Sequence, residues 1–175
     1  MDYCKEYEFL NDKDHIFKSI SYDELIDLLD GFGTGLIFIG GPWCPNCQAI
    51  INDLNGIGKK LGLDVIYNYD PKFINIFQEE EDLRDCKTLE HKLKYYAIVE
   101  KIKYKSEELV VDTLIPRIHV PFIFGIKNGS CIGYFDKELI KDDAGLHLAD
   151  STEDQTIDFT LAISDLINKV YKDTL

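Results

Sequence analysis

The chain has 175 residues, 45% of them hydrophobic, and a formal net charge of −13 at pH 7. That length suits a single domain over 1–175, and a domain of that size can bury roughly 70% of its extended-chain surface without disulfide staples. The acidic balance argues against nucleic acid and anionic membranes as partners, and no run approaches the roughly 18 apolar residues of a membrane span.

The first six residues, Met1-Asp2-Tyr3-Cys4-Lys5-Glu6, carry charge but no apolar core of signal-peptide length, so a cytoplasmic chain is expected. Ser21-Tyr22-Asp23-Glu24 is a capping box. It predicts a short helix with Leu25, Leu28 and Leu29 inward and Gly31 at its end. Residues 35–40 form a continuous apolar run, the pattern of a buried central strand. Trp43-Cys44-Pro45-Asn46-Cys47 follows directly. Beyond it Ile50, Ile51, Leu54 and Leu61 keep helical spacing, with Gly56 and Gly58 expected to weaken or bend the helix. Residues 64–69 read as a second strand, stopped by Asp70-Pro71. Strand, helix, strand makes a βαβ unit with the cysteines at its first turn.

The middle of the chain is less periodic. Residues 79–82 are all acidic and predict the first turn of a helix, with Cys86, Leu89, Leu93 and Tyr96 along one face and an end near Tyr104. Residues 109–115 fit either a strand or a short helix. Residues 122–126 predict a strand, Lys127-Asn128-Gly129-Ser130 a hairpin turn, and 131–135 the returning strand. Residues 136–150 are polar without a period. A second capping box at 151–154 opens a last helix with Phe159, Ile163, Leu166 and Val170 on its core face.

Cysteine at a strand-to-helix turn faces unpaired backbone N–H groups and the positive end of the helix dipole. Both favour the thiolate, which is the nucleophile. Cys44 is therefore the candidate attacking sulfur and Cys47, one turn on, the resolving sulfur. Pro45 suits the first helical turn, where it forfeits no hydrogen bond. Half a zinc site is the competing use of the pair, but no second Cys-x-x-Cys accompanies it. No metal or other cofactor is expected. Cys4, Cys86 and Cys131 show no mutual spacing, which argues against a disulfide framework.

Four features together resemble the thioredoxin-like superfamily: Trp43-Cys44-Pro45-Asn46-Cys47 after a strand, the βαβ unit, Val120-Pro121-Phe122 leading into a hairpin with Lys127-Asn128-Gly129, and a C-terminal helix. The match covers roughly 21–69 and 117–171. It implies an α/β fold with a central mixed sheet flanked by helices, and a helical insert at about 71–116 before the proline strand. It also implies that Pro121 is cis and packs against the cysteine pair, that the Val120 backbone pairs with a bound polypeptide, and that Trp43 and Pro45 lie beside the substrate.

The chain departs from the thioredoxins proper in placing Phe38 where they carry a buried aspartate on the strand before the cysteines. The proton acceptor for Cys47 is then missing or supplied elsewhere. The long 71–116 stretch has counterparts in bacterial thioredoxin-like subfamilies, including accessory proteins of bacteriocin systems.

Two functions remain open on this reading. One is a thiol–disulfide oxidoreductase reducing protein or peptide disulfides, recycled by a thioredoxin reductase; the absence of a cation between the cysteines favours reduction over oxidation. The other is a binding or accessory module using the groove beside Val120-Pro121. Trp43 is expected as a lid or as core. His119 either approaches the site or lines a strand face. His15, His91 and His147 are expected at the surface, Cys131 buried and inert, and Cys86 core-facing.

Overall fold

The computed structural model describes residues 1–136 and 153–172. In chain order the elements are α1 (Tyr3–Glu6), β1 (Phe17–Ser19), α2 (Tyr22–Asp30), β2 (Gly35–Ile39), α3 (Pro45–Lys60), β3 (Ile66–Tyr69), β4 (Lys72–Ile74), β5 (Glu80–Asp82), α4 (Leu89–Lys101), β6 (Phe122–Lys127), β7 (Ser130–Phe135) and α5 (Glu153–Tyr171). A five-stranded sheet runs in the order β1-β3-β2-β6-β7. β1, β3 and β2 are parallel, while β6 and β7 are antiparallel to their neighbours. The class is thus α/β with a mixed central sheet flanked by helices. Among the described residues no helix is long and apolar enough to cross a membrane.

The centre is β2, buried along its whole length. Because side chains alternate along a strand, its residues divide between two cores. Leu36 and Phe38 join one with the buried faces of α3 and α5. Ile37 and Ile39 join the other with α2 and α4. Helices therefore cover both faces, as a strand apolar at every position requires.

Local signals explain most boundaries. Ser21 and Glu24 cap α2 reciprocally, and Gly31 ends it. α3 runs unbroken through Gly56 and Gly58. At Gly58 a side chain would meet Ile16 and Ile66 at 2.8 and 3.1 Å, so this glycine lets the helix approach its neighbours closely. Asn128 and Gly129 both take positive φ in the β6–β7 turn, the conformation a tight hairpin needs. On α5, Phe159, Ile163, Leu166 and Val170 are all buried. The capping box at 151–154 begins outside the described residues, as do 137–150 and His147.

The insert is where expectation and structure part. It is not chiefly helical: Glu80–Asp82 is a strand paired antiparallel with Lys72–Ile74, not a helical turn. Cys86 precedes α4, in left-handed backbone after a 3₁₀ turn at Leu83–Asp85. The helical face is also different. Leu89 and Leu93 are 72% and 61% exposed, and the buried residues are Tyr95, Ile98 and Val99. Residues 109–115 form neither strand nor helix; Leu109 and Pro116 make one isolated bridge. Two short elements at the N-terminal side, α1 and β1, carry no pattern that the sequence reading detected.

Candidate functional site

The turn after β2 places Cys44 at the N-cap of α3 in extended backbone, with Pro45 as the first helical residue. The Cys44 thiol lies at about 7. Its largest cause is a hydrogen bond from the Cys47 side chain, opposed by burial and assisted by the backbone N–H groups of Cys47 and Asn46 and by the Arg84 charge. Those N–H groups are the unpaired donors of a helix start, turned onto a sulfur. On its other side Cys44 Sγ lies 3.6 Å from the Val120 carbonyl oxygen. The Val120–Pro121 bond is cis, as the family resemblance implied.

Cys47 is fully buried. Burial pushes its thiol well above the ordinary value, and the Cys44 sulfur and the Asp70 charge push the same way. The two sulfurs are thus sharply unequal. Gly40 backs the pair: a side chain there would come within 2.5 Å of Cys47 Sγ and 2.8 Å of the Phe38 ring. Phe38, fully buried, fills this flank with hydrocarbon. All five cysteines are free thiols.

Trp43 lies on the turn beside the cysteines and packs against the core. It is half-buried, and its Nε1 donates to Asp70 Oδ1 at 3.0 Å. Lys72 Nζ lies 4.5 Å from its ring and the Arg84 guanidinium 5.4 Å, both within cation–π reach. Burial raises the Asp70 carboxyl above its ordinary value despite donors from the Lys72 backbone and Trp43. Arg84 and Asp82 form a buried ion pair at 2.7 Å. Burial pushes the Asp82 carboxyl up, but the Arg84 hydrogen bonds and charge outweigh it and hold the group below its usual range. Arg84 also donates to the Ile118 carbonyl at 3.1 Å, tying the insert to the segment that leads into Pro121.

Beneath the turn, Asn68 accepts from the Tyr3 hydroxyl at 3.0 Å and donates to the Phe38 and Gly40 carbonyls at 3.1 and 3.0 Å. The Tyr7 hydroxyl is buried without a hydrogen-bond partner among the described residues.

The turn and the segment before β6 therefore bring together Cys44, Cys47, Trp43, Pro45, Val120 and Pro121. His119 is exposed and hydrogen-bonds Glu108 at 2.8 Å instead of a cysteine. His15 is half-buried against Tyr3, and the His91 side chain is only 13% exposed, so neither is a simple surface residue. Cys86 is buried and Cys131 half-buried, each thiol raised by burial.

Sequence reasoning missed Asp70, Arg84 and Asn68. In the sequence Asp70 signals only a strand stop. Arg84, a lone cation among acids, was the available signal for a buried pair; Asn68 within an apolar strand was another. Among the described residues no group of three or more His, Cys, Asp or Glu could hold a metal ion. No family model matches the chain, and no curated protein is significantly similar to it in sequence.

Proposed function

We propose that this protein is a thiol–disulfide oxidoreductase of thioredoxin-like fold that reduces protein or peptide disulfides through Cys44 and Cys47. The observation that carries the reading is the inequality of the two sulfurs. One thiol lies at about 7 at a helix N-cap, and its partner is buried and held protonated against it. An attacking thiol is most effective when its pKa is near ambient pH. The mixed sheet, the β2–α3–β3 unit and the cis peptide before β6 support the fold assignment.

The Cys44 thiolate attacks one sulfur of the substrate disulfide. The substrate S–S bond breaks, and the leaving thiolate takes a proton from solvent. Cys47 then loses its proton and attacks Cys44 Sγ, forming the Cys44–Cys47 disulfide and releasing the second substrate thiolate. Two electrons pass to the substrate, and a reductant of the thioredoxin reductase class would return them. Val120, whose carbonyl already faces Cys44, would pair its backbone with the substrate chain.

Single-turnover exchange of the reduced protein with a small aryl disulfide tests the reading. Wild type should release one aryl thiolate on attack and a second on resolution. Cys44→Ser should release neither, and Cys47→Ser should stop as a mixed disulfide detectable by mass. Release by Cys44→Ser at the wild-type rate would overturn the assignment.

A further inference from the structure

A groove of about 1150 Å³ opens between the β4–β5 hairpin and the N-terminal ends of α2 and α4. It is larger than most small-molecule sites, which run to roughly 1,000 Å³. Its lining includes Ile76 and Phe77 at the hairpin tip, 88% and 75% exposed, with Ile74 and Leu89 also exposed. Clustered apolar exposure of this kind marks an interaction surface more than an ordinary monomer surface.

Three features define the occupant. The first is charge. Asp70, Glu79, Glu81 and Glu90 line the groove against Lys72 and Lys94. Both lysines are already engaged, Lys72 with Glu80 at 2.6 Å and Lys94 with Glu90 at 2.8 Å. Among the described residues the Glu79 carboxylate meets only an Asn75 amide, at 3.3 Å, and Glu81 faces His91 at 3.7 Å. The unbalanced charge is negative.

The second feature is continuity with the dithiol. Asp70 and Lys72 line the groove and also hold Trp43, the residue before Cys44. The third is the net charge of −13, which sets a second copy of this chain against like charge.

We propose that this groove docks the polypeptide flanking the substrate's disulfide, and that it selects segments with bulky apolar residues and Lys or Arg. The proposal rests on the oxidoreductase reading and adds to it a substrate class: apolar, basic polypeptides. The groove is separate from the backbone edge at Val120 and is built mainly from the insert.

The test separates docking from chemistry. Isothermal calorimetry on Cys44→Ser measures docking alone, with two cysteine-free peptides of equal length, one rich in Phe, Leu and Arg and the other in Ser and Glu. The first should bind at least tenfold more tightly. Ile76→Asp and Phe77→Asp, each at an exposed position, should weaken it at least tenfold with an unchanged denaturant midpoint, and Glu79→Lys, likewise exposed, should weaken it in the same direction. Equal binding of the two peptides would overturn the proposal, as would variants that bind like the parent. Sedimentation showing a dimer that Phe77→Asp dissociates would also overturn it, assigning the face to self-association. If wild type fails to reduce a small disulfide while the peptide preference holds, the oxidoreductase reading falls and the docking site stands.

Discussion

The Cys44 thiol is lowered to about 7 at its helix N-cap. Alkylation at mildly acidic pH should label Cys44 ahead of Cys86 and Cys131, whose burial raises their thiols. Its rate should rise through a midpoint at about 7. Equal labelling of Cys44 and Cys131 would contradict the assignment. The same shift has a consequence for stability. The folded thiol lies at about 7 against an ordinary 9.0, so it contributes stability fully above 9 and loses it as pH falls through 7. The reduced protein should therefore gain stability between pH 7 and 9, and Cys44→Ser should lack that gain. Urea midpoints across the window decide it. Above 9 the raised Cys47 thiol acts in the opposite sense. Phe38 sets a third test. Its ring abuts Gly40 beside Cys47 in a fully buried site. Phe38→Asp buries a carboxyl that costs several kcal/mol or takes up a proton. Neutral, it cannot act as a base; charged, it opposes the Cys44 thiolate. We expect a lower denaturant midpoint and equal or slower disulfide reduction on the same preparation. A stable, faster variant would show that the site accepts an acid there.

At the scale of elements, the insert is a brace for the site. Arg84 joins Asp82, the Ile118 carbonyl and the face of Trp43. Removing one partner of a buried ion pair typically costs about 3–5 kcal/mol. Arg84→Ala should therefore lose stability of that order and move the Cys44 alkylation midpoint upward. Replacing Asp82 and Arg84 together by apolar residues should recover much of the stability but not the midpoint. An unmoved midpoint in both variants would separate the pair from the thiol. The elements legible in the sequence were those with a single strong period and a local stop signal. β2 is apolar at every position, α2 has a reciprocal cap, and β6–β7 has Asn128-Gly129. The insert departs from its sequence pattern because an acidic run suits a helix N-terminus and a charged hairpin strand equally. Glu80–Asp82 instead finds its partners across a hairpin, where Lys72 meets Glu80 at 2.6 Å. On α4 the apolar stripe of Leu89, Leu93 and Tyr96 is as regular as the buried one. Which stripe faces inward depends on where the connecting chain carries the helix, a tertiary property that local spacing does not contain. The dithiol was visible because its chemistry lies in one contiguous turn. Asp70, Arg84 and Asn68 were not, since each reaches the site from a different element, through the parallel crossover to β3 or from the insert.

At the scale of the molecule, the net charge is −13, and a Cys44 thiolate would react within that field. Cationic small disulfides should react faster than anionic ones of matched reactivity, and the ratio should fall toward unity as salt rises. The Debye length shrinks from about 10 Å at 0.1 M to about 3 Å at 1 M. Rates with cystamine and dithiodiglycolate over that range are the measurement; a ratio that does not change with salt would mean the surface charge lies out of range of the sulfur.

The chain contains a single tryptophan, and it is Trp43, clamped between Asp70, Lys72 and Arg84 one residue from Cys44. Emission excited at the red edge, where the ten tyrosines do not absorb, therefore arises from one indole beside the two cysteines. On the proposed chemistry, oxidation, mixed-disulfide formation and occupation of the groove should each change its immediate surroundings. Trp43 would then serve as a built-in optical reporter, through which exchange is followed in real time without a label.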